Sequence, residues 1–291
     1  MLRVLVYVGV VAWLSLGLPC AARAQNCAAT SIGLHSSTYV RTDTTTETGV
    51  AAASAIAPLD SRGLVDLESG RVVMIGIGMS NANRVGGVLQ TKLTNAKAPW
   101  VSPLFRYVNG AKDSRTAPEW ADDTDRYGAW AHVAKQLMTK NLSALQVQAA
   151  HVVMTMKNPR VDGPMTEAHM RDIISILLDR YPNVRVVWLS GISYTGYSLG
   201  LPPPDGDRAP EPFVQQDSLL LASLVGTFPV WTDFYDQWSD GKVPNPVTGL
   251  AWHCADVIDD GVHPSGVGRT QLANYLIARW RDDPVTEGWM R

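Results

Sequence analysis

From Arg71 onward, short apolar runs alternate with longer stretches in which apolar residues recur at helical spacing. This alternation is typical of a parallel sheet whose strands are connected by helices. The predicted fold class is α/β, a three-layer α/β/α sandwich with a five-stranded parallel sheet. We expect strands at Arg71–Ile77, Leu104–Val108, His151–Met156, Val184–Leu189 and Val230–Asp233. We expect helices at Arg126–Lys140, Thr166–Arg180, Phe213–Val225 and Gly266–Trp280.

The first residues have the pattern of an export signal. Arg3 supplies a positive charge, Val4–Leu18 is an almost unbroken apolar run, and Ala22-Arg23-Ala24 fits the small-x-small pattern of a cleavage site. The run is short for a bilayer span and no stop-transfer pattern follows, so we expect no stable membrane anchor. Residues 1–24 are therefore predicted to be a signal peptide, and the protein is predicted to be periplasmic or extracellular.

The segment that follows the signal differs in composition from the rest of the chain. Residues 25–69 are rich in Thr, Ser and Ala, and we expect an extended arm packed on the domain, with a short helix around Val50–Ile56. No repeat or linker divides the remainder. Residues 70–291 are therefore predicted to form one domain.

Composition and charge exclude some function classes. Hydrophobic residues make up 46% of the 291 positions and charged residues 18%, as in an ordinary globular protein. The formal net charge of -2 gives no basic excess for phosphates, so nucleic acid is not an expected partner. The six histidines show no metal-ligand spacing. We expect neither a metal ion nor another cofactor.

Export would leave two of the three cysteines, Cys27 and Cys254, in an oxidising compartment. An even number of cysteines in an exported chain favours a disulfide between them. The alternative is a pair of unbonded, buried thiols.

A serine follows the first predicted strand, in the sequence Gly78-Met79-Ser80-Asn81-Ala82. A serine on a tight turn between strand and helix projects its hydroxyl above the edge of the sheet, where a base can activate it. Ser80 is therefore a candidate nucleophile. The alternative is that Ser80 only caps the following helix.

Asp260 and His263 stand three residues apart near the end of the chain, in Asp260-Gly261-Val262-His263-Pro264-Ser265. This spacing lets the carboxylate accept from one imidazole nitrogen while the other nitrogen faces outward, as a general base requires. Ser265 is expected to be the N-cap of the last helix. The alternative is an acidic turn with a histidine that faces solvent.

Acyl transfer also needs donors for the negative charge that develops on the attacked carbonyl. Gly110 follows the second strand, where the absence of a side chain lets its backbone N–H approach a ligand. Asn158 follows the third strand and can donate from its side-chain amide. Either residue could instead serve only in a turn.

Together these four blocks resemble the SGNH (GDSL-like) hydrolase superfamily, over about residues 70–282, and in particular an uncharacterised branch of exported bacterial SGNH proteins. The resemblance implies Ser80 as nucleophile, His263 as base and Asp260 as its orienting partner. It also implies that Gly110, Asn158 and the Ser80 N–H are the oxyanion donors. Two departures stand out, since Met79 replaces the usual acid and Pro159 follows Asn158.

The resemblance implies an exported serine esterase that acts on carbohydrate O-acyl or short-chain esters. Its partner would be a small-molecule or glycan ester. One alternative is an α/β-hydrolase, because Gly78-x-Ser80-x-Ala82 nearly matches the Gly-x-Ser-x-Gly turn. Only one strand precedes Ser80, and that fold usually has its acid well before the histidine. The other alternative is a non-catalytic module that binds envelope polysaccharide.

Overall fold

The computed structural model describes residues 39–95, 98–157, 159–192, 213–237, 249 and 251–291. The predicted signal peptide, Cys27 and Asn158 lie outside the described residues. The predicted bond between Cys27 and Cys254 and the predicted role of Asn158 therefore stay predictions.

Within the described ranges, five parallel strands form one sheet in the order β2-β1-β3-β4-β5. Parallel neighbours need a crossover connection, and helices supply it here. The strands are β1 (Val72–Gly78), β2 (Phe105–Asn109), β3 (Val147–Val153), β4 (Val186–Ser190) and β5 (Trp231–Phe234). The predicted fold class is thus confirmed.

The helices cover both faces of the sheet and complete three layers. Four of them were expected from apolar periodicity and lie within two or three residues of the predicted bounds. The helices are α1 (Asp43–Ala53), α2 (Ser80–Gln90), α3 (Ala117–Trp120), α4 (Ala129–Met138), α5 (Pro159–Asp162), α6 (Glu167–Arg180), α7 (Phe213–Ser223), α8 (Gly266–Arg281) and α9 (Glu287–Met290). No helix in these ranges is both long and apolar enough to cross a bilayer.

Each face of the sheet carries its own apolar core, because side chains alternate between the two faces along each strand. On one face Ile75 and Val152 pack with Trp130 of α4 and Ile173 of α6. On the other face Met74 and Trp188 pack with side chains that include Val85 of α2, Leu276 and Trp280 of α8. Helices α2 and α8 therefore share one face, which brings the start of each to the same region.

Strand β3 begins four residues earlier than predicted, because buried glutamines interrupt its apolar pattern. Gln148 is buried and exchanges two hydrogen bonds with the backbone of Ala57, at 2.7 and 3.2 Å. Gln146, just before the strand, donates to Leu59 O at 2.7 Å. Because the backbone of the arm supplies hydrogen bonds to both side-chain amides, the two glutamines can be buried. The sequence pattern predicts apolar residues at such positions.

The arm also differs from the prediction. Thr42 accepts from the Thr45 N–H and caps α1, so the polar segment predicted to be extended forms the first turns of a helix. Arg41 pairs with Asp233 and Asp283, and Trp231 Nε1 donates to Thr45 O at 2.9 Å. These contacts fasten the arm to β5 and to the end of the chain.

The strand order determines where a site can form. From β1 the chain crosses to β2 on one side and then returns to β3 on the other. In open α/β sheets, ligands bind outside the carboxyl ends of the strands at such a reversal. Ser80, two residues after β1, lies at this position.

Candidate active site

Gly78 makes the turn from β1 into α2 possible. Its φ is +148°, and a Cβ there would lie 2.2 Å from Val153 O and 2.7 Å from the Ala82 side chain. A residue with a side chain would meet both contacts as well as the unfavourable backbone angle. The chain can therefore leave the sheet sharply between β1 and β3, and Ser80 emerges at the strand ends.

Ser80 is the first residue of α2, and Met79 holds the N-cap position. The Ser80 hydroxyl therefore does not serve as the helix cap that sequence reasoning left open. Its backbone N–H is one of the first-turn groups that have no partner within the helix, and the positive end of the helix dipole lies there. This N–H suits negative charge that develops beside Ser80.

The loop that carries Asp260 and His263 is held by its own hydrogen bonds. Asp260 Oδ1 accepts from the N–H groups of Val262 and His263 at 3.0 and 2.9 Å. The His263 carbonyl accepts from the Ile258 N–H at 2.9 Å. Ser265 caps α8 as predicted, with Oγ accepting from the N–H groups of Val267 and Gly268. The loop is thus fixed at both ends.

The imidazole of His263 lies between Asp260 and Ser80. His263 Nδ1 lies 2.5 Å from Asp260 Oδ2, and His263 Nε2 lies 2.7 Å from Ser80 Oγ. A carboxylate only accepts, so Nδ1 carries the proton and Nε2 is free to accept from the serine hydroxyl. The structure therefore brings together the three residues that the sequence indicated.

Asp260 is ionised throughout the ordinary pH range. Burial raises the pKa of Asp260, but the hydrogen bond from the His263 side chain and those from the backbone N–H groups of His263 and Val262 lower it to about 2. A carboxylate beside Nδ1 stabilises the imidazolium that forms when Nε2 takes a proton.

The prediction for Gly110 needs correction. Its N–H donates to Gly76 O at 2.8 Å and so continues the ladder between β2 and β1. A Cβ at this position would lie 3.1 Å from Gly76 O and from the Val133 methyl groups, so close packing accounts for the glycine. The Gly110 N–H is therefore already paired and is not available to an oxyanion in this structure.

The chain after Gly110 crosses the carboxyl ends of the strands. The Lys112 N–H donates to Gly78 O at 2.9 Å, and the Ala117 N–H donates to Thr155 O at 3.2 Å. Between these anchors, Asp113 Oδ1 accepts from Asn83 Nδ2 of α2 at 2.8 Å, and Ser114 has a φ of +61°. The backbone that passes beside the start of α2 is thus residues 112–117 rather than Gly110.

The segment that contains Asn158 is fastened at its two ends by one buried acid. Asp217 accepts from Thr155 Oγ1 at 2.6 Å and from the Met165 N–H at 2.9 Å. Burial raises the pKa of Asp217 to about 6 in spite of these bonds. Sequence reasoning did not identify Asp217, because it lies in a helix 62 residues from Thr155.

Sequence reasoning also missed Asn81. Its Nδ2 donates to the carbonyl of Val262, the residue before His263, at 3.3 Å. One sequence signal could have indicated it. Asn81 occupies the first position of a helical face on which the next two residues, Val85 and Leu89, are apolar.

Comparisons with known proteins give structural similarity alone. No protein-family model matches the sequence, and no curated protein matches it. The chain is similar to a family 3 carbohydrate esterase from Clostridium thermocellum, with 14% identity, a TM-score of 0.44, and 72% of this chain and 94% of the other covered. It is also similar to a family 3 carbohydrate esterase from Talaromyces cellulolyticus, with 12% identity, a TM-score of 0.47 and 73% and 99% covered. A third similar structure is the YXIM protein from Bacillus subtilis, with 13% identity, a TM-score of 0.42 and 74% and 57% covered.

Proposed function

We propose that this chain is a serine ester hydrolase with Ser80 as nucleophile and His263 as general base. Asp260 orients the imidazole of His263 and stabilises its protonated form. The observation that carries the proposal is the continuous set of contacts Ser80–His263–Asp260, at 2.7 and 2.5 Å, at the carboxyl ends of the strands. A serine hydroxyl is a poor nucleophile until a base removes its proton, and this arrangement supplies the base.

In the first half of the reaction, Ser80 Oγ attacks the carbonyl carbon of the ester while His263 Nε2 takes the hydroxyl proton. The tetrahedral intermediate collapses, the bond to the alkoxy group breaks, and that group leaves as an alcohol with the proton from His263. In the second half, water gives a proton to His263 and attacks the acyl-Ser80 ester. The carboxylic acid leaves, and Ser80 recovers its proton.

The Ser80 N–H at the start of α2 is our first donor for the oxyanion, since it belongs to the helix turn whose amides are unpaired. Asn158 remains the proposed side-chain donor, on the segment that Asp217 fastens at Thr155 and Met165. Because the N–H groups of Gly110, Lys112 and residues 115–117 are paired, we propose that a second backbone donor is the N–H of Asp113 or Ser114.

We propose that the protein is exported and that its substrates are carbohydrate O-acyl esters or other short-chain carboxylic esters. Export rests on the sequence of residues 1–24, and the substrate class rests on the resemblance to SGNH hydrolases. A series of p-nitrophenyl esters of increasing chain length, followed by acetylated glycans, would define the acyl and alcohol groups.

An α/β-hydrolase is less well supported than an SGNH-type enzyme. Among the described residues, one strand precedes Ser80, and the acid stands three residues before the histidine. A non-catalytic polysaccharide-binding module is also less well supported, because binding does not require a hydroxyl, an imidazole and a carboxylate in hydrogen-bonded series.

Hydrolysis of p-nitrophenyl acetate tests the proposal. Purified wild-type protein should hydrolyse this ester, and Ser80→Ala should reduce kcat/KM by roughly 10³-fold or more, since the nucleophile is lost. Ser69→Ala is the matched control, because Ser69 is an exposed serine that bonds Asp66 in a different part of the chain. An inactive wild-type protein would sink the proposal and favour the binding module, whereas equal activity in Ser80→Ala would exclude Ser80 as the nucleophile.

A further inference from the structure

Asn81 is buried where the pattern of its helix calls for an apolar side chain. It is 5% exposed, and Val85 and Leu89 follow it at intervals of four residues on the face of α2 that packs on the sheet. Burial of an amide costs free energy unless the amide is hydrogen-bonded. Its presence beside Ser80 therefore needs a physical explanation.

The Asn81 side chain joins the helix of Ser80 to the loop of His263. Asn81 Nδ2 donates to Val262 O at 3.3 Å, while Ser80 Oγ contacts His263 Nε2 at 2.7 Å. Ser80 and Asn81 are neighbours in one segment, and Val262 and His263 are neighbours in the other. The two hydrogen bonds therefore close a ring that fixes the separation of nucleophile and base.

Several other hydrogen bonds of this loop stay within the loop or run to the segment just before it. Asp260 holds the N–H groups of Val262 and His263, and the Ser265 N–H donates to Asp256 O. These bonds set the shape of the loop and the ring orientation of His263. None of these bonds runs to α2, whereas the bond from Asn81 does.

The side chain of Asn81 has a second polar atom, and Asn81 lines a small cavity. Asn81 Oδ1 is buried and has no hydrogen-bond partner among the described residues. The cavity has a volume of about 10 Å³, the lower limit for one water molecule, and its lining includes Tyr107, His151 and Gln237. Burial lowers the pKa of His151 to about 3, so the lining is neutral and offers polar partners without charge.

We propose that Asn81 is a positioning residue, which holds the His263 loop against α2 through Val262 O while a buried water molecule donates to its Oδ1. The inference rests on the proposed function. It assigns a role in that function to a residue other than Ser80, His263 and Asp260. Asn81 does not touch the substrate. It acts through the distance between Ser80 Oγ and His263 Nε2.

The test compares Asn81→Leu with Val85→Ala. Leu has a similar volume and no amide, whereas Val85 lines the same cavity one turn further along α2 and makes no side-chain hydrogen bond. We expect Asn81→Leu to lower kcat for p-nitrophenyl acetate about 10- to 100-fold, as a misplaced base does, with KM changed less than about threefold. The pH dependence of kcat/KM should keep its wild-type shape, because the contact between Asp260 and His263 remains.

Val85→Ala should lower the thermal unfolding midpoint at least as much as Asn81→Leu and keep kcat within about threefold of wild type. A kcat for Asn81→Leu near the wild-type value, or an equal loss in Val85→Ala, would overturn the inference. Inactivity of the wild-type protein would instead refute the proposed function.

Crystal structures of the wild type and of Asn81→Leu give a readout that needs no activity. We expect a water molecule on Asn81 Oδ1 in the wild type. In the variant we expect the distance from Ser80 Oγ to His263 Nε2 to exceed about 3.5 Å. An unchanged distance of 2.7 Å would overturn the positioning role. A cavity without water in the wild type would overturn the proposed hydrogen bond from water to Asn81 Oδ1.

Discussion

Ser80 Oγ and His263 Nε2 lie 2.7 Å apart although 183 positions separate the two residues in the chain. Ser80 follows β1, and His263 precedes α8, which packs beside α2 on the same face of the sheet. The fold therefore creates this contact by placing two helix starts together. Neither residue could reach the other through local structure.

Asp260→Asn tests the acid of the proposed triad. An amide in place of the carboxylate no longer stabilises the imidazolium and can favour the wrong tautomer of His263, so kcat/KM should fall roughly 10³- to 10⁴-fold. Asp259→Asn is the matched control, since Asp259 is the adjacent acid and its side chain is exposed. Steady-state kinetics with p-nitrophenyl acetate measure both variants. Equal activity of the two would contradict the role of Asp260.

Gly78→Ala should destabilise the protein, and Gly87→Ala should not. At Gly78 the positive φ alone costs about 1–3 kcal/mol, and the contact with Val153 O adds to it. Gly87 lies in the exposed face of α2 with nothing within 4 Å of its Cβ position, so alanine there should stabilise the helix by about 0.5–1 kcal/mol. Urea unfolding of the two variants measures the free energies. Similar effects would mean that the turn does not require glycine.

Arg41→Ala should strongly destabilise the fold. Asp233 and Asp283 are buried, and Arg41 is the cation that pairs with both. Removal of one side of a buried ion pair leaves uncompensated charge and costs about 3–5 kcal/mol in the free energy of unfolding. Arg62→Ala provides the control, because the pair of Arg62 and Asp60 is solvent-exposed and its loss should leave the unfolding midpoint unchanged. A small effect in Arg41→Ala would mean that the arm is held mainly by other contacts.

Asp217 should make stability depend on pH. Its pKa is about 6 in the folded protein and about 3.9 in the unfolded chain, so the native state binds the proton more tightly. The free energy of unfolding that Asp217 contributes is therefore fully present below about pH 3.9 and is lost as the pH rises through 6. We compare the free energy of unfolding of the wild type with that of Asp217→Asn. The difference, wild type minus variant, should be greater at pH 4 than at pH 7 by about 1–3 kcal/mol. Chemical unfolding at both pH values measures this difference, and an equal difference at both would refute the assignment.

The sequence predicted the sheet well because its strands are buried on both faces. β1 and β4 are buried along their whole length, and β1, β2, β4 and β5 each begin and end within two residues of their predicted bounds. Prediction was wrong where a distant partner changes what a residue can do. Gln148 extends β3 because Ala57 satisfies its amide. At α1 the missed signal was local, since Thr42 caps the helix by accepting from the Thr45 N–H.

The same limit applied at the site. Ser80, Asp260 and His263 were predicted to act together because acyl transfer requires these residue types and because Asp and His stand close in the sequence, and the structure places the three in contact. Gly110 was misjudged as a donor because the bond of its N–H depends on the register of β2 against β1. Asn81 escaped notice because its partner, Val262 O, is a backbone atom 181 residues away.

Covalent labelling tests the central proposal most directly. The oxygen of an activated serine hydroxyl attacks the phosphorus of an alkyl fluorophosphonate, the base takes the hydroxyl proton, and fluoride leaves. A stable phosphonyl ester remains on the serine, and peptide mass spectrometry locates it. We predict one modified residue, Ser80, in the wild-type protein, and no adduct under the same conditions in His263→Ala. An adduct on another serine, or equally fast labelling of Ser80 without His263, would contradict activation of Ser80 by His263.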